Sequence, residues 1–289
     1  MSVGRAARTL MTVAAVTTAA TAMVARDAHA QLRPLDGPDW RLLSGSQAIA
    51  ASIGVARLSE QRASLAGTTG TLWEIGTFSA AWRTGRVVLE AGGTARRSFT
   101  ETGRFREAYP DVEQSPDGRR NDSGDFRIST IVRLTPARSA VMAALRFGTR
   151  LPTTDNTTGL DRDATDFFAT IGARTSVAAV SVAADAGLGI NTTREPRFEQ
   201  EDVLLYSLQA EYAGYRVTPT FSIVGQKHGT AHAAIRGTEN LGEIRLGLRA
   251  GSQYWVRLEI VRGYESFSPE SGAMVTVGST MNLATPGGR

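Results

Sequence analysis

The feature of this sequence that most constrains its fold is a regular alternation of apolar and polar residues along long stretches of chain. In residues 126–134, Ile128 and Val132 alternate with Arg127 and Arg133. A period of two places the two sets on opposite faces of a β-strand. About twelve such stretches of about 10–14 residues are present, longer than the ~5–6 residues of most globular strands. The predicted strands run approximately over 47–58, 72–84, 86–99, 123–136, 138–150, 164–175, 177–190, 203–214, 216–227, 241–250, 252–263 and 271–283.

The connections between these strands alternate between short and long, so that all the long ones lie at one end of the sheet. Short turns are predicted at Thr84-Gly85, at Pro136-Ala137, near Ser176, near Gly214-Tyr215 and at Gly251. Long polar loops are predicted at 59–71, 100–122, 151–163, 191–202, 228–240 and 264–270. Tight periplasmic turns with long external loops are typical of transmembrane barrels. The loop 151–163 is expected to be external and to pack against little.

Aromatic residues on the apolar faces cluster near the two ends of the strands. Two such belts are typical of barrels, where aromatic rings lie at the two membrane interfaces. The predicted aromatic girdle comprises Trp82, Phe99, Phe126, Phe147, Phe167, Tyr206, Tyr212 and Tyr254. Trp73, Phe168 and Trp255 have the opposite parity and depart from this pattern.

These patterns predict an all-β fold, a single antiparallel transmembrane β-barrel of about 12 strands. In hydrocarbon each unpaired backbone group costs several kcal/mol, so the edges of the sheet must close on each other. A polar interior accounts for a hydrophobic fraction of only 42%. The alternative interpretation is an exported β-sandwich or a lipocalin-like barrel.

The first 30 residues have the form of a secretory signal peptide. Arg5 and Arg8 precede an uncharged stretch, and Ala28-His29-Ala30 fits a signal-peptidase site. We therefore predict a signal peptide at 1–30, a periplasmic N-terminal segment at 31–46, the barrel at 47–283 and a tail at 284–289. The expected location after cleavage is the outer membrane of a Gram-negative-type bacterium. The chain has no cysteine, so disulfides cannot stabilise it.

Charged residues recur on the inward parity of the strands. The predicted pore-lining residues are Glu90, Arg96, Asp125, Arg127, Arg133, Arg146, Asp185, Glu211, Arg216, Glu243, Arg245, Arg257 and Glu259. Opposite charges occur on adjacent strands, and Glu90 is expected near Arg127 and Arg133. Two interpretations remain open: an ion-pair network that fills a narrow barrel, and a lumen whose charges select solutes.

Sequence motifs do not point to an enzyme. His228 and His232 are the two histidines beyond the signal peptide, and neither stands in the His-x-Ser pattern of outer-membrane phospholipase A. The aspartates of residues 155–166 do not have the spacing of an EF-hand calcium loop. We predict no catalytic residue, no metal and no cofactor. The net charge is +4, and almost all of the basic residues are arginine. A nucleic-acid partner is not expected for an exported chain.

The segment Leu151-Pro152-Thr153-Thr154, followed by Gly159-Leu160 and Ala164-Thr165-Asp166-Phe167, resembles a known signature. It is similar to the K/R-L-P-T-G-D … G-L-G-(S/T)-x-D motif of outer-membrane proteins related to the meta-pathway phenol-degradation transporters. Thr154 and Asp161 stand where that family usually has glycine. The resemblance implies a barrel channel for aromatic or other hydrophobic compounds.

The expected function is that of a porin-like channel for passive uptake of small molecules, aromatic or hydrophobic ones among them. The alternatives are a structural or assembly barrel without transport and a lipid-modifying outer-membrane enzyme. Expected partners are outer-membrane lipid and lipopolysaccharide, a small-molecule solute, and the barrel-insertion machinery during biogenesis.

Overall fold

Thirteen β-strands make up most of the computed structural model, which describes residues 32–44, 47–153, 155–162, 164–193, 200–214, 216–229 and 234–283. The signal peptide 1–30 and the tail 284–289 lie outside these residues. A single 3-10 turn, Asn156–Thr158, is the one helical element of the described chain. The strands are Gln47–Ala63 (β1), Thr68–Thr84 (β2), Val87–Arg104 (β3), Arg119–Asp122 (β4), Phe126–Arg133 (β5), Val141–Leu151 (β6), Asp166–Val177 (β7), Val180–Thr192 (β8), Gln200–Tyr212 (β9), Val217–His228 (β10), Leu241–Gly251 (β11), Tyr254–Gly263 (β12) and Ser271–Leu283 (β13).

The strands form one closed antiparallel barrel. Apart from β4, which pairs with β3 alone, each strand pairs with the strands next to it around the barrel. β1 pairs with both β2 and β13, so that Gln47 lies opposite both Thr84 and Leu283. The short β4 and β5 both pair with β3 and together form one side of the wall, which gives 12 barrel strands. The predicted fold class is confirmed. Within the described residues, no helix has the length and apolar character to span a membrane.

The barrel is apolar outside and charged inside. Ile171, Leu188 and Tyr254 are 59%, 63% and 72% exposed on the outer surface, whereas the side chains of Arg146 and Glu243 are buried within the barrel. An outer surface of this kind loses little by facing hydrocarbon and would be costly to expose to water. Burial alternates residue by residue along most strands, as the sequence pattern predicts.

One extra residue in β2 reverses the parity of the strand ends near the long loops. Gly54 of β1 pairs with Thr77, but the next residue, Val55, pairs with Ile75, so Gly76 bulges out of the ladder. Gly76 has φ of 68°, a left-handed conformation that glycine adopts without steric cost. Beyond the bulge Trp73 faces outward, which explains why it departs from the parity predicted for its strand.

Two sequence predictions in β3 are wrong because β3 follows the same offset. Ala95 and Arg96 are consecutive and both lie on the outer face, where Arg96 donates a hydrogen bond to Asn121 at 3.2 Å. Arg97 and Phe99 therefore turn inward, and both are buried. Arg96 does not line the lumen, and Phe99 does not belong to the aromatic girdle.

The barrel end that carries the long loops is closed by a cap, which we define as residues 64–67, 105–118, 155–162 and 234–240. The predicted loop 59–71 is replaced by long extensions of β1 and β2, joined by a turn of residues 64–67 that folds inward. Leu160, Asp161 and Arg162 are fully buried, so the loop 151–163 packs closely against the barrel, contrary to expectation. Apolar cap residues form one cluster with barrel side chains: Leu32, Ala56, Leu58, Ala63, Leu65, Ala66, Leu72, Phe99, Val112, Leu160, Val261 and Met274.

Residues 32–44 lie inside the barrel and are called the plug below. The sequence predicts a periplasmic segment at 31–46, but Leu32 packs in the cap cluster and Leu43 packs on the wall near the short turns. The plug thus runs the length of the lumen and leaves it at the short-turn end, where β1 begins. Its buried apolar residues and its charges both find partners on the inner wall, which accounts for this position.

Candidate functional site in the barrel lumen

Arg33 anchors the cap end of the plug to two buried carboxylates. Its guanidinium donates two hydrogen bonds to Glu243 at 2.9 and 2.7 Å and a third to Glu74 at 3.0 Å. The side chains of Glu74 and Glu243 are 3% and 0% exposed. Because a guanidinium group remains protonated at any physiological pH, the anchor is a charged pairing.

Asp36 lies near the middle of the plug against a group of arginines. Arg245 Nη1 donates to Asp36 Oδ1 at 2.6 Å, and Arg127 Nη2 lies 3.9 Å from Oδ2. The arginine contacts favour the ionised form of the carboxylate in the folded protein.

Wall arginines also bind the backbone of the plug. Because the plug has no strand or helix partner, its carbonyl groups need other donors. Arg146 donates to the carbonyl of Asp36 at 2.6 Å, Arg133 to that of Leu43 at 3.0 Å, and Arg174 to that of Trp40 at 3.3 Å. Several inward arginines thus hold the plug rather than line an open pore.

The plug approaches one side of the wall very closely at Gly37. A β-carbon at this position would lie 2.3 Å from Ser207 Oγ and 2.4 Å from Gln209 Nε2, so only glycine fits without a shift. Gly172 makes similar room on the wall for the Trp40 ring. Residues 37–40 of the plug therefore lie against the β7–β9 side of the barrel.

The opposite side of the lumen contains two cavities. The wall of β13, β1 and β2 has small inward side chains, including Ala50, Ser52, Ser79, Ala81, Thr276 and Thr280. The cavities measure about 170 and 160 Å³, room for several water molecules each. They share five lining residues, which we call the waist: Asp36, Ser52, Ser79, Arg127 and Arg257. These two adjoining cavities, which we call the passage, lie beside the plug, and the Asp36 carboxylate borders both of them.

Most predicted pore-lining residues lie inside the barrel. This group comprises Glu90, Asp125, Arg127, Arg133, Arg146, Asp185, Glu211, Glu243, Arg245, Arg257 and Glu259. Arg96 faces outward, and Arg216 is exposed in the turn before β10. Glu90 pairs with Arg146 at 3.2 Å rather than with Arg127 or Arg133. Seven residues of the predicted girdle lie on the outer face: Trp82, Phe126, Phe147, Phe167, Tyr206, Tyr212 and Tyr254.

Sequence reasoning missed the residues that organise the lumen. Arg33 and Asp36 lie in a segment without periodicity, and Glu74 and Arg97 lie beyond the parity change of β2 and β3. One signal was available: Trp40, Leu42 and Leu43 are apolar residues that a short exported tail could not bury by itself.

Metal-ligating groups and histidines are two further kinds of candidate site. The described residues contain no group of three or more histidine, cysteine or acidic residues positioned to hold a metal ion. His228 is the one described histidine; its backbone N–H donates to Asn240, and its buried Nδ1 has no hydrogen-bond partner. His232 lies outside the described residues.

Comparison with solved structures shows the same fold in outer-membrane proteins. An outer-membrane channel from Pseudomonas putida F1 superimposes with a TM-score of 0.57 at 11% identity, covering 86% of this chain and 100% of the other. The translocator domain of the autotransporter NalP from Neisseria meningitidis (0.46, 11% identity, 83% and 89%) and outer-membrane phospholipase A from Escherichia coli (0.41, 12% identity, 86% and 94%) are more distant. No protein-family model matches the sequence, and no curated protein does. At these identities the likeness shows the barrel fold alone.

Proposed function

We propose that this protein is a channel of the outer membrane for the passive uptake of small molecules, with a bore narrowed by its own N-terminal segment. The proposal includes export by the signal peptide, cleavage after Ala30, assembly by the barrel-insertion machinery, and an apolar outer surface in contact with lipid and lipopolysaccharide. The apolar belt on the outside and the closed ladder of strands support the membrane location.

The passage beside the plug is the observation that carries a transport role. A barrel that served only as an envelope component would gain from a lumen filled by large side chains, as is usual for closed interiors. Here the wall of β13, β1 and β2 presents alanine, serine and threonine, and two polar cavities remain between this wall and the plug. Cavities of this size and polarity suit water and small solutes.

The solute class follows from the groups at the waist. The resemblance to transporters of the phenol-degradation type implies aromatic or hydrophobic compounds. The waist, however, carries Arg127, Arg257 and Asp36, and such a lining favours polar solutes because a neutral apolar molecule cannot replace the water around these charges. We therefore favour small polar molecules as the solute.

A closed structural barrel is the second candidate, and the cap supports it. Apolar residues such as Leu65, Val112 and Leu160 close the barrel end that carries the long loops, and they are almost fully buried. If the cap does not open, the cavities are internal and no solute crosses.

Conductance of the purified protein in planar bilayers separates these two candidates. We expect discrete single-channel steps, smaller than those of open porins because the plug and the cap narrow the path. A protein that inserts and shows the gel mobility of a folded barrel but never conducts would support the structural candidate. Turnover of phospholipid added to the same preparation would instead indicate an enzyme.

A further inference from the structure

Asp36 occupies a more open position than the other main anchor of the plug. The carboxylates that hold Arg33 are sealed, since Glu74 and Glu243 are 3% and 0% exposed. The Asp36 side chain is 43% exposed to the lumen and borders both cavities. A carboxylate that is bound by arginine and still open to solution can be exchanged for another carboxylate.

The arginines around Asp36 form a site with room for an anion. Arg245 holds one carboxylate oxygen at 2.6 Å, and Arg127 lies 3.9 Å from the other. Among the described residues, Asp36 is the only carboxylate within 4.0 Å of Arg127, whose side chain is 30% exposed. Gly92 lies opposite Arg127 in the ladder, where a β-carbon would come within 3.3 Å of the guanidinium. The glycine leaves the Arg127 guanidinium free to turn toward the passage.

We propose that Asp36 occupies the recognition site of a small organic carboxylate, and that Arg127 and Arg245 bind the carboxylate of the solute as it passes the waist. This inference rests on the proposed channel function and names the substrate class of the same passage. Bidentate pairing of guanidinium groups with a planar carboxylate gives such a site its selectivity. The cavity volumes limit the solute to a few non-hydrogen atoms.

Passage then consists of an exchange of carboxylates. The solute anion replaces the Asp36 side chain on Arg127 and Arg245, and Asp36 returns when the solute leaves. The backbone of the plug stays in place, because Arg146 binds the Asp36 carbonyl and Arg33 remains on Glu74 and Glu243. The two arginines are never left without an anion, and the displaced Asp36 carboxylate, which is 43% exposed, is solvated by lumen water. A neutral solute cannot take the place of Asp36 on the two arginines.

Uptake of lactate and of its uncharged amide, lactamide, into proteoliposomes tests this inference. The full mature protein and its variants are reconstituted, protein-free liposomes serve as the blank, and folding is checked by gel mobility before and after heating. For the unmodified protein we expect lactate to enter about ten-fold faster than lactamide, the factor expected for one charge-assisted hydrogen bond. Arg127→Gln should bring the ratio close to one. Asp36→Asn should raise the uptake of lactate, because the tethered competitor is gone.

Asp39→Asn is the matched control. It removes the same charge from the same segment, but Asp39 pairs with Arg41 at 3.0 Å and does not touch Arg127. The lactate to lactamide ratio should stay unchanged in this variant. The inference is overturned if Arg127→Gln retains the ratio, or if Asp36→Asn and Asp39→Asn raise lactate uptake equally. If Arg127→Gln does not fold, the comparison of the two aspartate variants decides alone.

Failure of the channel function gives a different result. In that case neither solute would enter liposomes that contain the unmodified, folded protein faster than it enters protein-free liposomes. If lactate and lactamide both enter at equal rates, the protein is a channel and the carboxylate site is wrong.

Discussion

Removing the plug should raise single-channel conductance on the order of ten-fold, because the segment fills one side of the lumen and its Leu32 belongs to the cluster that closes the cap end. The variant replaces residues 32–43 by a glycine–serine linker short enough to remain outside the barrel. Lumen water would then replace Asp36 as the partner of Arg127, Arg146 and Arg245. Planar-bilayer recordings at fixed salt give the measurement.

The control for this prediction changes an exposed loop of the cap. Residues 113–117 lie in the loop 105–118, and Gln114 and Asp117 are exposed. Replacing 113–117 by glycine and serine should leave the conductance within about two-fold of the unmodified protein, because the loop surface does not border the passage. Equal increases from both variants would mean that the cap, and not the plug, sets the conductance.

Arg33→Met should detach the cap end of the plug from the barrel wall. Both buried carboxylates keep one arginine partner after this change. Glu74 keeps Arg97 at 3.1 Å, and Glu243 keeps Arg245 at 2.8 Å. We expect a cost of about 3 kcal/mol, the low end for breaking a buried ion pair, because each carboxylate keeps one partner. This corresponds to roughly a 100-fold shift of the equilibrium between the bound and the detached plug toward the detached form. Protease cleavage of the plug in the folded barrel, followed over time, measures the shift.

Arg41→Met makes the same substitution in the same segment at a weaker contact. Arg41 pairs with Asp39 at 3.0 Å, where the two side chains are 26% and 36% exposed. The expected cost is below about 1 kcal/mol, since water already screens this pair. Similar cleavage rates for Arg41→Met and Arg33→Met would show that Arg33 is not the anchor.

The barrel could be predicted from the sequence because membrane and lumen impose opposite chemistry on alternate residues. Ile128 and Val132 must face lipid, and Arg127 and Arg133 must not, so the period alone reports the orientation. The prediction failed at Arg96 and Phe99 for a local reason. Gly76 adds one residue to β2 and Ala95 lies opposite it in β3, so the side chains of both strands beyond this point change face.

The plug and the cap could not be predicted in this way, because they have no repeating pattern. Leu32 and Trp40 are buried by contacts with residues that are far away in sequence. Leu160 belongs to a polar stretch and is buried by the neighbouring cap loops. The waist at Asp36 depends on the position of the plug against the wall, which no local sequence pattern reports.

A disulfide between the plug and the wall tests most directly whether residues 32–44 lie inside the barrel and set its bore. The chain contains no cysteine, so Gly37→Cys with Ser207→Cys introduces a single defined pair. The β-carbon of residue 37 would lie 2.3 Å from Ser207 Oγ, which places the two β-carbons within reach of a disulfide. The Ser207 hydroxyl is removed by the substitution, and the other close contact, Gln209 Nε2 at 2.4 Å, is the end of a flexible side chain that can shift to make room. We predict that the bond forms in the folded barrel in outer membranes and that the oxidised and reduced proteins have the same small conductance. Absence of the crosslink in the folded barrel would contradict the position of the plug. Conduction that disappears on oxidation would show that the segment must leave the lumen before the channel can open.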